Sequence, residues 1–404
     1  MSVAPLQRGL VAILLLQISL GLLSMTICLP SMQEWGRLFD ADQARVQLTF
    51  SGYVVAYGSS QLVYGPLSDR YGRKGILLMG LTIGATGAWL AALAPDLTWL
   101  TLARVLQGAG CAAGMVLGRS MVQDLFAGPA RTRVMAYIGM TLGLCPPAAT
   151  LIGGQLHVHF GWRANFMLMG TLTLLLLLLA WRRLPASGPS VAAHDASRHW
   201  LVHMGAAYAR LAREPAFLLY AAVLGLSTAA FYTFLAGAPI VLASYGVGPD
   251  RIGWYIMAVP LSYIVGNYAT SRVIHVWGEN RLMAAGQASA LTGILLMVLL
   301  GLAGLNTPLA FALPLMLLGV GHGLLNPPAL AGTVGQVPAL AGSASAVAGL
   351  GQQMLGAAGG FAVGLMTHEG SVNLGLLMAG FTLCSIAALG LLFRFQSGRS
   401  SASN

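Results

Sequence analysis

The sequence predicts an all-α membrane protein of twelve transmembrane helices in two pseudo-symmetric six-helix halves. Three observations carry that prediction. Of the 404 residues, 57% are hydrophobic and only 8% charged, whereas a soluble domain carries about a quarter charged residues. Apolar runs of roughly 18–25 residues recur about twelve times, each long enough to cross about 30 Å of hydrocarbon as a helix. The runs are continuous and lack the strict alternation over about ten residues of a membrane β-barrel strand.

The first run, about 10–30, is long for a signal peptide and has no small-residue cleavage site, so it is expected to stay as helix one. A polar loop, about 33–43, leads to helix two, about 46–65, which enters the densest charge cluster of the chain, Gly65 to Lys74. Helices three to six follow near 75–93, 99–122, 134–156 and 164–181, the last closed by Arg182 and Arg183. Residues 184–214 lose the apolar pattern to Pro, Ser, His and Arg and read as a linker. Six more runs, near 216–243, 252–271, 282–304, 309–331, 343–366 and 372–395, repeat the layout. The resulting domains are an N-terminal half, 1–183, the linker, 184–214, a C-terminal half, 215–396, and a tail, 397–404.

The net charge of +10 does not point to nucleic acid, because the basic residues sit in short loops between apolar runs. Fifteen Arg and Lys, among them Arg70, Arg73, Lys74, Arg182 and Arg183, share the side of the termini, and only Arg37, Arg45, Arg163 and Arg251 lie opposite. That bias places both termini and the linker in the cytoplasm. Cys28, Cys111, Cys145 and Cys384 form no CxxC pair, so neither a disulfide framework nor a metal site is expected.

The decapeptide Gly65-Pro66-Leu67-Ser68-Asp69-Arg70-Tyr71-Gly72-Arg73-Lys74 fits the pattern G-x-L-[AS]-D-[RK]-x-G-R-[RK]. With the six-plus-six topology, it makes the chain resemble the major facilitator superfamily. The resemblance implies that this cluster is a breakable latch holding the halves together on the cytoplasmic side. Asp69 accepts hydrogen bonds there, Gly65 and Gly72 permit close approach, and Asp124 shares Arg73 or Arg70. The equivalent stretch of the second half, 271–281, keeps Gly278 and charge but loses the pattern.

Arg104-Val105-Leu106-Gln107-Gly108 matches the family's R-x-x-Q-G. Arg104 and Gln107 are three apart and share a helix face. An arginine inside the bilayer either faces a wet or paired interior, which makes it functional, or snorkels to the interface. Gly110, Gly114 and Gly118 leave one face of helix four nearly bare for a neighbour. Gly143, Pro146, Pro147, Gly153 and Gly154 in helix five look like the hinge motif of proton-coupled exporters, with Cys145 where glycine is common. Together with Thr26 to Pro30 and Gly118 to Phe126, these stretches resemble the Bcr/CflA branch of bacterial drug:proton antiporters.

Proton coupling needs a group that changes charge inside the membrane. All eleven acids fall in loops or at helix ends; several multidrug relatives carry an acid in helix one, whereas this chain has Thr26 four residues before Pro30 and no acid earlier in that helix. Glu34, one turn past Pro30, is the nearest candidate, with an outer-surface carboxylate as the alternative. His322 is the other titratable candidate, and its flanking glycines are expected to leave room for substrate or water; a neutral, hydrogen-bonded histidine inside the bundle is the alternative. Phe231, Tyr232, Asn267, Tyr268, Asn326, Gln352 and Gln353 are candidate cavity-lining residues.

The resemblance implies a monomeric, multi-pass transporter of the bacterial inner membrane, not an enzyme. It implies proton-coupled efflux of small amphipathic compounds by alternating access, of a multidrug or chloramphenicol/bicyclomycin type. Its partners are substrate, protons and lipid, with no nucleic acid and no cofactor beyond the proton gradient. Import or facilitation of a siderophore or peptide-like solute is the alternative.

Overall fold

The computed structural model describes residues 5–185, 200–337, 340–367 and 370–402, and among them every regular element is helical. The chain divides into two compact units, Met1–Arg198 with Pro249–Gly253, and His199–Gly248 with Trp254–Asn404.

The first unit holds α1 (Pro5–Thr26), a 3-10 turn (Leu29–Ser31), α2 (Met32–Leu38), α3 (Gln43–Tyr71), α4 (Arg73–Ala92), α5 (Leu97–Leu125), α6 (Gly128–Phe160) and α7 (Arg163–Arg183). Helix one stops at Thr26, short of the expected Pro30, because Pro30 has no amide to donate to the Thr26 carbonyl, and the chain goes on as the 3-10 turn. The segment expected as a loop from 33 instead contains α2, with Glu34 in its first turn. Asp42 and Asp96 cap α3 and α5 by accepting from the amides of Arg45 (2.7 Å) and Trp99 (2.8 Å).

α5 is the hub of this unit. A side chain at Gly110 would strike the backbone of Gly80 and Gly84 on α4. One at Gly108 would strike Tyr53 on α3, and one at Gly114 the Gln17 carbonyl on α1. The bare face expected of this helix, Gly110, Gly114 and Gly118, is therefore shared between α4 and α1, and Gly108 adds α3.

The second unit contains α8 (Trp200–Leu211), α9 (Pro215–Ser244), the end of α10 (Pro249–Ile256), α11 (Ala258–Leu302), α12 (Pro308–Gly335), α13 (Ala341–Val363) and α14 (Val372–Ala402). The linker is not helix-free: Trp200, Met204, Tyr208 and Leu211 repeat at helical spacing, and Leu211 is buried against Phe217 and Ala344. The rest of the linker, 186–199, lies outside the described residues. α14 runs past the expected end of the half, tied there by Gln396, which donates to Tyr220 (3.0 Å) and accepts from Asn280 (3.1 Å). α12 is the counterpart of α5: Gly321 meets Gly286, and Gly319 and Gly323 meet Val259 and Tyr263, all on α11.

Gly278 (φ 75°, ψ 163°) breaks α11 into arms 258–277 and 279–302. Gly72 (φ 91°, ψ 139°) separates α3 from α4 in the same way, so the two units keep one backbone turn, in the region of φ that favours glycine. Nine stretches among the described residues are long and apolar enough to span a membrane. α11 supplies two arms within one of them, and α3 and α13, diluted by Ser, Gly and Gln, complete six long helices per unit.

Gly110→Leu is expected to lower the thermal unfolding midpoint of detergent-purified protein, overpacking costing about 1–3 kcal/mol. Gly139→Ala, where nothing lies within 4 Å, is expected to leave it in place; equal midpoints for the two variants contradict the packing described.

Candidate functional site

A helix end leaves its last four carbonyls without intrahelical donors. At the end of α1 the Leu23 carbonyl accepts from the Ile27 amide (3.0 Å). The next two are met by Arg104, whose Nη1 donates to the Ser24 carbonyl (2.7 Å) and to Gln107 Oε1 (2.8 Å), and whose Nη2 reaches the Met25 carbonyl (3.4 Å). The guanidinium lies 4.1 Å from the Tyr53 ring centroid, and Tyr53 donates its hydroxyl to the Gly21 carbonyl (2.7 Å). Arg104 is fully buried, so it does not snorkel. A cation at a helix C-terminus is favourable, and five fixed donors suit a fan of carbonyls better than a lysine would. Sequence spacing joins Arg104 to Gln107, whereas Ser24, Met25 and Tyr53 carry no local signal and are brought in by the fold.

In the charged decapeptide, Arg73 is shared by two carboxylates. Its Nη1 pairs with Asp69 Oδ1 (3.3 Å) and its Nε with Asp124 Oδ2. Arg70 takes neither acid and lies over the Tyr71 ring, 5.4 Å from the centroid. Lys74 donates to the Leu184 carbonyl (2.7 Å) at the end of α7. Close approach is not what the glycines supply: a side chain at Gly65 would find only Val116, at 4.0 Å, and Gly72 is required by its positive φ. Both carboxylates are about half exposed, and such pairs contribute about 0–1 kcal/mol each.

α6 runs unbroken through Gly143, Pro146 and Pro147. Thr150 donates its hydroxyl to the Pro146 and Pro147 carbonyls (3.0 Å each). Gly153 lies against the Ile27 carbonyl, just beyond the end of α1, and Gly154 against Pro249 of the segment 249–253 in the same unit. One turn further, His157, which the sequence motifs do not mark, is buried and pairs through Nε2 with Glu34 Oε2 at 3.2 Å. Its only local signal is position, four residues after Gly153 on the same helix face.

In the second unit, His322 on α12 is buried and its Nδ1 is 2.9 Å from Ser227 Oγ on α9. Phe231 stacks on the imidazole with centroids 5.1 Å apart, and Tyr263 of α11 lies at 5.8 Å. The glycines beside His322 do not make room for a ligand; they let the α12 backbone touch both arms of α11. Tyr232 donates to Gln353 Oε1 (3.0 Å), and Gln352 donates to Thr228 Oγ1 (3.2 Å). Asn267 donates to the Tyr263 carbonyl (3.2 Å), and Asn326 keeps a buried Oδ1 with no hydrogen bond. Tyr268 stands apart: it is 60% exposed, with Arg272 over its ring.

Arg104→Ala orphans the buried Ser24 carbonyl, worth about 1–3 kcal/mol, and leaves that of Met25 only the Cys28 thiol (3.8 Å), so it is expected to lower the thermal midpoint, with Arg104→Lys intermediate. A midpoint unchanged in the alanine variant contradicts the capping role.

The family model of the Major Facilitator Superfamily matches residues 12–361. The chain is 29% identical to multidrug resistance protein D of Escherichia coli K12, covering 92% of each chain. It is 27% identical to a chloramphenicol resistance protein of Pseudomonas aeruginosa over 87% of this chain and 82% of that one. The solved nucleoside transporter NupG superposes with a TM-score of 0.77 at 15% identity, over 96% of this chain and 99% of its own. A fold of six long helices per unit, with the Arg73 cluster between the second and third and Arg104 in the fourth, thus stands beside a family match over most of the length: the chain is a membrane transporter belonging to the Major Facilitator Superfamily.

Proposed function

We propose that this transporter exports small, uncharged or weakly anionic amphipathic compounds in exchange for protons. The observation that carries the reading is the likeness, over most of both chains, to proteins named for multidrug and chloramphenicol resistance. The character of the buried polar groups narrows the substrate class. No acid among the described residues lies mid-helix in a long span, so nothing there would neutralise a buried cation. The second unit offers instead an aromatic face, Phe231 on His322, and neutral hydrogen-bonding groups at Ser227, Thr228, Gln352 and Gln353. Such a set suits a flat apolar ring with a few polar substituents.

The bias of basic residues supports an orientation with both termini and the Arg73 cluster in the cytoplasm, and the bacterial relatives support an inner-membrane location. The half-exposed Arg73 pairs join α3, α4 and α5 within the first unit, so rearranging them in each cycle of alternating access costs little. The working unit is a monomer, energised by the proton gradient without a cofactor.

In everted vesicles with an imposed pH gradient, chloramphenicol is expected to dissipate the gradient, and Phe231→Ala to raise the half-maximal concentration about fivefold or more, the loss of one stacking contact worth about 1 kcal/mol. Chloramphenicol that never dissipates the gradient, together with solute uptake by intact cells, overturns export. Asp69→Asn is expected to slow transport while the thermal midpoint stays put.

A further inference from the structure

We propose that His157 and Glu34 form the proton-binding site of this transporter, with the transported proton held at His157 Nδ1. The proposal rests on the reading of proton-coupled export and names the group that reading lacks.

The geometry assigns the protons. Glu34 Oε2 lies 3.2 Å from His157 Nε2, and an ionised carboxylate only accepts, so we assign the ring hydrogen to Nε2, facing Glu34. The remaining ring nitrogen, Nδ1, is then a lone-pair acceptor in the neutral ring. It is buried and takes no hydrogen bond. A buried acceptor left open is costly and calls for an explanation. Uptake of one proton there converts imidazole to imidazolium, and the adjoining carboxylate neutralises the new charge. Release reverses the step, with no other bond made or broken.

The surroundings hold the pair in register. One turn earlier on α6, the Gly153 carbonyl accepts from Asn165 Nδ2 (3.2 Å), and the same amide donates to Ser31 Oγ (3.0 Å). Gly153 and His157 are four apart, Ser31 and Glu34 three apart, so each pair shares a helical face and two cross-links tie α6 to the chain beyond the break of α1. Asn165 is fully buried with its Oδ1 also open, as is Trp35 with its Nε1. Glu34 is 45% exposed and His157 7%, which gives the pair one member at water and one inside.

The neighbouring ionisable groups leave it alone. On α7, Arg163 stacks on Trp162 (4.5 Å) and donates to the Ala94 carbonyl (3.1 Å). In 249–253, Asp250 pairs with Arg251 (3.6 Å) while its carbonyl accepts from Gln155 (3.2 Å). His159 on α6 and Arg37 on α2 are exposed, Asp40 lies in the turn after α2, and Cys28 is a buried thiol beside the break. None forms an ion pair with Glu34 or His157 among the described residues.

The test uses full-length protein in proteoliposomes with chloramphenicol as the probe, reading both chloramphenicol-driven proton movement and gradient-free exchange of labelled chloramphenicol. His157→Asn is expected to cut proton movement by about tenfold or more, as for loss of a positioned proton acceptor, and exchange by much less. Glu34→Gln is expected to cut proton movement while exchange continues, because the imidazolium loses its counter-charge. Proton movement equal to wild type in His157→Asn or in Glu34→Gln overturns the assignment while leaving coupling intact. Joint loss of proton movement and exchange in His157→Asn marks a packing role and also overturns it; if that variant does not fold, proton movement in Glu34→Gln decides. Wild-type protein that exchanges chloramphenicol without moving protons sinks the coupling reading itself.

Discussion

The first unit depends on a cation placed where a helix runs out. α1 ends at Thr26, and the carbonyls it leaves behind sit inside the protein, where water does not reach them. Arg104 meets two of these carbonyls and stacks on Tyr53, which holds a third carbonyl one turn back. Burying a guanidinium is unfavourable unless its donors are used. Here most of them are, although Nε is left over. The contact fixes α1 against α5, and the glycines of α5 then draw α3 and α4 to the same helix. The break of α1, the packing of the bundle and the placement of the segment carrying Glu34 follow from one another.

The second unit uses the same backbone plan with different chemistry. α12 stands where α5 does, with a glycine face against its neighbours, and Gly278 repeats the turn of Gly72. No cation occupies its core among the described residues. His322, the two glutamines of α13 and the hydroxyls of α9 are bonded in pairs. The polar content of the two units therefore divides by kind: a charged, structural set in the first and a neutral, aromatic set in the second.

Much of this was legible in the sequence, for reasons that differ by residue. Helix number and the decapeptide are local properties, set by apolar run length and by the spacing of Asp69, Gly72 and Arg73. The Arg104–Gln107 pair is readable because three residues is one helical step. The partners of Arg104 are not, since backbone carbonyls some 80 residues away carry no side-chain signal. The glycines around His322 suggest space in the sequence but meet the backbone of α11 in the fold, because glycine looks alike whether a ligand or another backbone approaches it. His157 is silent for a related reason: a lone histidine near a helix end gains meaning only when the fold brings Glu34 to its ring.

The early end of α1 also bears on how the chain is assembled. When the first helix enters the bilayer, the Ser24 carbonyl near its end has no partner, and the arginine that satisfies it lies 80 residues downstream. Through the insertion of α3 and α4, that end must be sheltered by water or by the insertion machinery. The contact that completes it can form only once α5 is in place, so the end of the first long helix waits on the fourth.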